Sequence, residues 1–317
     1  MESSREKPKS PPGERQEPLP WEEPPIPRDD PEAAARIHRI MASPGYRQAD
    51  KDPDFLAHPG MRGARLQVDY AKAEAALRAH GIEHSIIVFG STRIPDPAVA
   101  ANRLDGLLRQ RTQTPDDPVL QRKIKIAERI CEKSRYYEVA RELGRLVGNA
   151  QHGGEGDYLA VMTGGGPGIM EAANRGSFDV GADTVGLNIS LPREQHPNAY
   201  VTPGLCFQFH YFALRKLHFM LRARALVACP GGYGTIDELF EALTLIQTRK
   251  LEPLPVVLVG EHFWRGAFDI DFLVDEGVID EEDRDLFWFA ETAQEVWEGI
   301  CQWYRNAGRP LVGDKED

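Results

Sequence analysis

A strand, a glycine turn and a helix follow one another between Ala225 and Glu241, and this order restricts the fold more than any other feature of the chain. The apolar run Ala225–Cys229 has the length of a buried strand, and Pro230 ends it. A helical pattern begins near Thr235, after a turn that contains Gly231, Gly232 and Gly234. Such a turn presents backbone N–H groups and the positive end of a helix dipole to an anion. It is not a Walker loop, because no Gly-Lys-Ser/Thr sequence follows.

The carboxylate of Glu238 lies one turn into this helix, and its spacing has two interpretations. Thr235 and Glu238 match the capping-box pattern, in which each side chain caps a backbone N–H at the start of the helix. The same position also places a carboxylate beside a bound anion, where it can take part in chemistry. The spacing alone leaves both interpretations open.

Apolar runs of strand length recur along the chain and alternate with helical patterns. The runs lie near residues 85, 159, 185, 225 and 255. This alternation predicts an α/β fold, a doubly wound (Rossmann-like) parallel sheet with flanking helices and right-handed crossovers. Ligands of such sheets bind at the carboxyl ends of the strands, where Gly, Ser and Pro turns follow several of the runs.

Two more turns of this kind precede the first. Gly90, Ser91 and Thr92 follow the strand Ser85–Phe89, and they form either a phosphate or ribose contact or an ordinary turn. The turn Thr163–Gly168 resembles a dinucleotide fingerprint, but Ile169 stands where the third glycine belongs. A mononucleotide therefore fits this turn better than a nicotinamide or flavin dinucleotide.

The remaining patterns give a coarse map of the chain. Residues 33–41, 63–80, 119–147 and 293–304 are predicted helices, the third broken near 131–135. Residues 200–202 are a candidate short strand, and a basic helix carrying Arg215 and Lys216 is expected from about 207 to 224. Residues 94–118, rich in polar side chains, Pro and Asp, are expected to form an insertion or a long loop. The predicted domains are a disordered Pro-rich tail (1–30), a helical N-terminal appendage (31–82), a Rossmann-like domain (83–304) and a polar C-terminal tail (305–317).

Composition narrows the class of protein. The 317 residues carry a net charge of −11, which argues against general binding to the phosphates of nucleic acids. The four cysteines are widely spaced and contain no C-x-x-C pair, so they indicate reduced thiols in a cytoplasmic protein. No apolar run approaches the roughly 18 residues of a membrane helix, and no signal-peptide pattern is visible. His210 and His218 lack metal-ligand spacing, and the acidic run 269–285 lacks the register of a calcium loop, so no metal site is predicted.

The segment from Pro230 to Glu238 resembles the signature P-G-G-x-G-T-x-x-E of the Lonely Guy (LOG) family, with every specified position met. Arg215-Lys216 upstream and Gly164-Gly-Gly-Pro-Gly-Ile-Met170 before that extend the resemblance, which covers roughly residues 83–304. Many relatives of this family are labelled lysine decarboxylases, but no pyridoxal-phosphate lysine motif accompanies the glycine loops here.

The resemblance implies a phosphoribohydrolase, which cuts the N-glycosidic bond of nucleoside 5′-monophosphates such as AMP or cytokinin riboside monophosphates. It implies Arg215 and Glu238 as the catalytic pair and no cofactor. The substrate contacts that it implies, together with those of the two other turns, are Glu194, Lys216, Gly231, Gly232, Tyr233, Gly234, Thr235, Ile236, Asp237, Thr244, Gly90, Ser91, Gly165, Gly166 and Met170.

Several alternatives stay open at this stage. Arg215 either clamps the phosphate or stabilises the departing base, or it is simply a solvated residue of a basic helix. A non-catalytic carrier of a nucleotide or of the molybdenum cofactor on the same fold is the main alternative function. An oligomeric scaffold with an inactive site is a second one. A homodimer or larger homo-oligomer is expected, with no nucleic acid or membrane partner.

Overall fold

The structure is a computed structural model, and it describes residues 13–15, 17, 19, 29–151, 158–192 and 196–311. The chain divides into two compact units, Met1–Arg65 and Leu66–Asp317. The predicted domain limits at 30/31, 82/83 and 304/305 stay predictions. Most of the predicted N-terminal tail and residues 312–317 lie outside the described residues.

Seven parallel strands form one sheet in the second unit. They are β1 (Ile82–Phe89), β2 (Tyr158–Thr163), β3 (Thr184–Ile189), β4 (Cys206–Phe209), β5 (Ala223–Ala228), β6 (Val256–Val259) and β7 (Trp288–Ala290). Their order across the sheet is β4-β3-β2-β1-β5-β6-β7, and every neighbouring pair is parallel. The predicted doubly wound α/β sheet is therefore confirmed, with two strands, β4 and β7, added at its edges.

Twelve α-helices accompany these strands in the described part of the chain. They are α1 (Ala33–Met41), α2 (Pro53–Ala57), α3 (Arg62–Ala79), α4 (Pro97–Arg111), α5 (Pro118–Lys133), α6 (Arg135–Gln151), α7 (Ile169–Asp179), α8 (Phe212–Leu221), α9 (Tyr233–Gln247), α10 (Glu261–Ala267), α11 (Ile270–Asp275) and α12 (Ala293–Asn306). The predicted helices at 33–41, 63–80 and 293–304 are confirmed, as is the break between α5 and α6. In these residues no helix is long and apolar enough to cross a membrane.

Both faces of the sheet are covered, which explains why its central strands are continuous apolar runs. Ile86 and Val88 belong to the core on one face, whereas Ile87 and Phe89 belong to the core on the other. Successive side chains of a strand point to opposite faces, so a strand covered by helices on both sides needs apolar residues at every position. All four of these side chains are buried.

The prediction of a long loop at 94–118 is wrong, because α4 occupies most of it. Asp96 accepts a hydrogen bond from the Ala98 N–H (2.8 Å), and Pro97 stands at the first helical position. Both features favour a helix start. Ala100 is the single buried residue of α4. A helix with so little buried surface shows a weak apolar period, which is why its pattern reads as a loop.

The predictions for residues 200–224 are also corrected. Residues 200–202 form no strand, and the edge strand is β4 instead. In β4, Phe207 and Phe209 are buried while Cys206 and Gln208 are exposed, the alternation typical of a strand. The helix predicted from 207 therefore begins five residues later as α8, and it ends at Leu221, just before β5.

Candidate functional site

The neighbouring strands β1 and β5 mark the point in the sheet where the direction of strand addition reverses. β1 connects onward to β2 on one side, and β5 connects onward to β6 on the other. The loops after β1 and β5 are joined by a hydrogen bond from the Ser91 N–H to the Pro230 carbonyl (3.0 Å). Crevices at such points are where open α/β sheets bind ligands.

A cavity of about 200 Å³ lies between these two loops. Residues of both loops, of α7, of α8 and of α9 line it. They are Phe89, Gly90, Ser91, Thr92, Met170, Phe212, Arg215, Gly232, Gly234, Thr235, Asp237 and Glu238. The cavity thus brings both predicted catalytic residues together with seven of the predicted substrate contacts.

Arg215 and Glu238 form an ion pair at this cavity. Nη1 of Arg215 lies 3.2 Å from Oε1 of Glu238, and its Nε donates to the carbonyl oxygen of Leu187 at 2.7 Å. The guanidinium also lies over the ring of Phe219, 5.0 Å from the centroid. These contacts hold the guanidinium in one position between the end of β3 and α9.

The second oxygen of Glu238, Oε2, is buried and has no hydrogen-bond partner in the described part of the chain. The ammonium of Lys216 lies 3.7 Å away, but it pairs more closely with Glu241 (2.7 Å) and Asp237 (2.9 Å). A buried carboxylate oxygen without a donor is uncommon, because its desolvation is not compensated. This oxygen is therefore the one best placed to interact with a ligand.

Burial dominates the ionisation of this pair. It raises the pKa of Glu238 to about 6, although the charges of Arg215 and Lys216 act in the opposite direction. Burial also lowers the pKa of Arg215, against the effect of Glu238 and Asp237. A salt bridge alone would shift both pKa values the other way, so the desolvation of the two groups outweighs their attraction. Near neutral pH the Glu238 carboxylate is therefore mostly ionised, and a modest decrease in pH protonates it.

The structure of the glycine turn after β5 shows whether Thr235 and Glu238 form a capping box. Helix α9 begins after Gly232, which is its N-cap, and no side chain caps it within the described residues. Thr235 is already the third helical residue and is buried, so the capping-box interpretation of Thr235 and Glu238 is wrong. The Thr235 N–H donates to the Gly232 carbonyl (3.0 Å), and no side chain of the described residues caps the first turn of α9. Uncapped N–H groups at the start of a helix attract anions.

The glycines of the turn between β5 and α9 differ in whether packing requires the absence of a side chain. A Cβ on Gly231 would lie 2.1 Å from Oγ1 of Thr235, so close packing excludes a side chain there. Among the described residues, a Cβ on Gly232 or Gly234 would meet no atom within 4 Å, and neither residue has a positive φ. Packing therefore does not require glycine at these two positions, both of which line the cavity.

The glycine turn after β2 supports Arg215 from the other side. A Cβ on Gly164 would lie 2.6 Å from Nη2 of Arg215 and 2.9 Å from Sδ of Met170, so the guanidinium occupies space that any side chain would need. Gly165 and Gly166 do not line the cavity. Their carbonyls accept hydrogen bonds from the backbone N–H and the Nδ2 of Asn198, at 2.8 and 3.1 Å.

The other predicted contacts lie elsewhere or are not described. Ile236 and Thr244 line a separate, shallow cavity on α9, and the Thr244 hydroxyl donates to the Phe240 carbonyl. The side chain of Tyr233 is 93% exposed beside the site. Glu194 lies outside the described residues. Within those residues no group of three or more His, Cys, Asp or Glu side chains that could hold a metal ion is present.

Some residues of the site were not predicted from the sequence. Phe212 lines the cavity, Gly164 lies against Arg215, and the Leu187 carbonyl accepts a hydrogen bond from the guanidinium. Phe219 follows Arg215 by four residues on α8, and this spacing on a helix was a usable signal for their contact. The role of a backbone carbonyl from β3 had no signal in the sequence.

Comparisons with known proteins found both similar sequences and similar folds. Residues 170–300 match a family model described as "Possible lysine decarboxylase". Over 169 residues, 52% of this chain, the chain is 31% identical to a rice (Oryza sativa subsp. japonica) cytokinin riboside 5′-monophosphate phosphoribohydrolase LOG. The chain is similar to members of the LOG family. The resemblance predicted from the sequence is thereby confirmed, and the residues that the family model matches include Arg215 and Glu238.

A second curated LOG protein and two solved structures complete the comparison. Cytokinin riboside 5′-monophosphate phosphoribohydrolase LOG3 of Arabidopsis thaliana is 28% identical over 169 residues, and the match covers 74% of its length against 65% of the rice protein. A molybdenum cofactor binding protein from Rippkaea orientalis is 20% identical, with 53% of this chain and 87% of that one covered and a TM-score of 0.37. A Moco carrier protein from Chlamydomonas reinhardtii is 19% identical, with 71% and 99% covered and a TM-score of 0.41. Identities and TM-scores as low as those of the two solved structures give no information about the function of this chain.

Proposed function

We propose that this LOG relative hydrolyses the N-glycosidic bond of nucleoside 5′-monophosphates to the free base and ribose 5-phosphate. The observation that supports it most is the Glu238 carboxylate, buried in the cavity with Oε2 lacking a hydrogen bond and with its pKa raised to about 6. Relatives named as phosphoribohydrolases of cytokinin riboside 5′-monophosphates suggest AMP and N6-substituted adenosine monophosphates as substrates.

In this proposal Glu238 acts on the sugar. Cleavage of the C1′–N bond builds positive charge on the ribose ring in an oxocarbenium-like transition state. An ionised carboxylate next to C1′ stabilises that charge, and it can accept a proton from the attacking water. A pKa of about 6 suits this role, because the group is then mostly ionised at neutral pH and still basic enough to take a proton.

The 5′-phosphate is proposed to bind at the start of α9. The N–H groups of the first helical turn and the positive end of the helix dipole attract an anion there. The space beside Gly232 and Gly234, which no protein atom occupies within 4 Å of a notional Cβ, allows a phosphate to approach the backbone. Binding of this remote group would help to position the ribose for reaction.

Arg215 is proposed as the second catalytic residue. Its guanidinium is already held by Leu187 and Glu238, so little conformational entropy is lost when a ligand binds it. Arg215 either binds the phosphate or stabilises the departing base. Lys216, which neutralises Asp237 and Glu241, is proposed to favour the ionised form of Glu238, and Glu194 is proposed to bind the ribose hydroxyls.

The test is release of free base from a panel of nucleoside 5′-monophosphates that includes AMP and N6-isopentenyladenosine monophosphate. We expect Glu238→Gln to lower turnover by about 10²-fold or more, the scale of one acid–base group, while nucleotide binding persists. Glu241→Gln is the matched control, because this carboxylate also pairs with Lys216 but does not line the cavity. The control should keep most of the activity.

Two results would contradict the proposal. Nucleotide binding without base release by the wild-type protein would favour the non-catalytic carrier. Equal activity of the wild-type protein and Glu238→Gln would remove the carboxylate from the reaction.

A further inference from the structure

A second cavity, of about 570 Å³, lies between α4 and α5. Its volume is within the range of small-molecule sites, roughly 300–1,000 Å³. Most of its lining is aliphatic: Val99, Ala100 and Leu107 come from α4, and Ile126, Ala127 and Ile130 come from α5. Val99 and Ile126 are more than half exposed. An apolar molecule seated here would remove this surface from water, which is favourable.

Cationic side chains surround the same cavity. Arg93, Arg103 and Lys123 contribute to its lining, and all three are exposed. In the described part of the chain their side chains take part in no ion pair or hydrogen bond, whereas most other arginines of the second unit are paired with a carboxylate or a carbonyl. Three unpaired cations at one apolar cavity favour a ligand with a negative charge.

The local charge differs in sign from that of the chain. Residues 93–135, which contain both helices, hold ten Arg or Lys and six Asp or Glu, a net charge of +4, whereas the whole chain carries −11. A positive region on a negatively charged protein attracts anions selectively to that region. The aliphatic lining and the positive region together favour a ligand that has an apolar part and a negatively charged part.

We propose that the α4–α5 cavity binds a small amphipathic anion, a molecule whose aliphatic body fills the cavity and whose carboxylate or phosphate head group pairs with Arg93, Arg103 and Lys123. Thr92, in the loop after β1, lines this cavity and also the cavity of Arg215 and Glu238. The ligand would therefore contact a loop of the candidate active site without occupying it. The proposal does not depend on the hydrolase activity.

Calorimetric titration of the full-length protein with four probes tests this proposal. The probes are octyl phosphate, octanoate, octan-1-ol and inorganic phosphate, so that charge and aliphatic chain are varied separately. We expect saturable binding of octyl phosphate or octanoate at one site per chain, and at least tenfold weaker binding of octanol and of phosphate alone. The preferred anion identifies the head group as phosphate or carboxylate.

A pair of double variants locates the site. Arg103→Ala/Lys123→Ala removes two charge-assisted contacts, each worth about tenfold or more, and should weaken binding of the preferred anion by about a hundredfold. Arg109→Ala/Lys125→Ala removes one Arg and one Lys from the same two helices, away from the cavity lining, and should leave binding unchanged. All four side chains are exposed, so the variants should fold.

Four outcomes would overturn the proposal: no saturable binding of either anion, binding of octanol as tight as that of the anions, equal effects of the two double variants, and full competitive displacement by AMP. The last would make the cavity a part of the nucleotide site. The Glu238→Gln protein should bind the anion like the wild type, so a failed hydrolase assay does not affect this test.

Discussion

Glu238 is the residue whose environment departs most from that of an ordinary carboxylate at the candidate site. Its side chain is 3% exposed, and two cations nearby do not offset the loss of water. A buried charge of this kind lowers the stability of a protein at neutral pH, because the folded state binds the proton more tightly than the unfolded state. Such an arrangement is typical of functional sites rather than of structural ion pairs.

The raised pKa of Glu238 predicts a pH dependence for activity. The proposed reaction requires the ionised carboxylate, so base release by the wild-type protein should fall as the pH decreases through about 6. The measurement is kcat/KM for AMP between pH 4.5 and pH 9. A profile that is flat across pH 6 would contradict the role of Glu238 as a base.

The same pKa predicts the sign of a stability effect. The folded-state pKa of about 6 lies above the ordinary value of 4.5, so the stabilising contribution is present below pH 4.5 and is lost as the pH rises through 6. Relative to Glu238→Gln, the wild-type protein should lose about 2 kcal/mol in free energy of unfolding between pH 4 and pH 8. Urea denaturation of both proteins at the two pH values measures this difference.

Arg215 and Glu238 should be energetically coupled. Arg215→Met leaves the buried carboxylate without its closest cation, which should cost about 3 kcal/mol in free energy of unfolding at pH 8. The cost should be smaller at pH 5, where Glu238 can be protonated. Arg215→Met/Glu238→Gln should be more stable at pH 8 than the sum of the single effects, and additive effects at pH 8 would show that the two charges do not interact.

The turn between β5 and α9 contains glycines that differ in what requires them. In the described part of the chain no atom lies within 4 Å of a Cβ at Gly232, so Gly232→Ala should change the free energy of unfolding by less than about 1 kcal/mol. The same methyl group would enter the space proposed for the phosphate, so AMP binding should weaken by about tenfold or more. Calorimetry and urea denaturation separate the two effects.

Gly165, in the turn between β2 and α7, provides the contrast for this experiment. Its φ is +68°, and a Cβ there would lie 1.9 Å from Oδ1 of Asn188. Gly165→Ala should therefore lower the free energy of unfolding by about 2 kcal/mol or more. If Gly232→Ala proved equally destabilising, the glycine at 232 would be structural and the argument for a ligand beside it would fail.

At the scale of the molecule, association into a homodimer or larger assembly stays a prediction, and α8 offers a surface for it. Leu217 and Leu221 are 43% and 48% exposed and lie four residues apart, on one side of the helix. Leu217→Glu/Leu221→Glu should reduce the molar mass measured by light scattering to that of the single chain, 35.5 kDa. Val278→Glu, an exposed apolar position outside α8, should not, and a wild-type protein that is already monomeric would contradict the prediction.

The parts of the molecule that the sequence predicted are those that depend on neighbouring residues. The buried strands follow from local apolar runs, and the turns after them follow from Gly and Pro. The LOG signature from Pro230 to Glu238 is a contiguous motif, so it also identified the candidate catalytic carboxylate. The predictions for α4 and β4 were wrong. Helix α4 buries a single residue, and β4 is a short strand at the edge of the sheet, so the apolar pattern of each is weak.

The tertiary structure alone decided how distant segments meet. The order of the strands brings the loops after β1 and β5 together. A side-chain contact between α8 and α9 joins Arg215 to Glu238, 23 residues further along the chain. Thr235 fits a helix cap by its spacing, yet the helix begins before it. The pKa of Glu238 depends on how much water its neighbours exclude, and those neighbours come from several segments of the chain. Contacts between distant residues and the desolvation that they cause have no local pattern, which is why only the folded structure determines them.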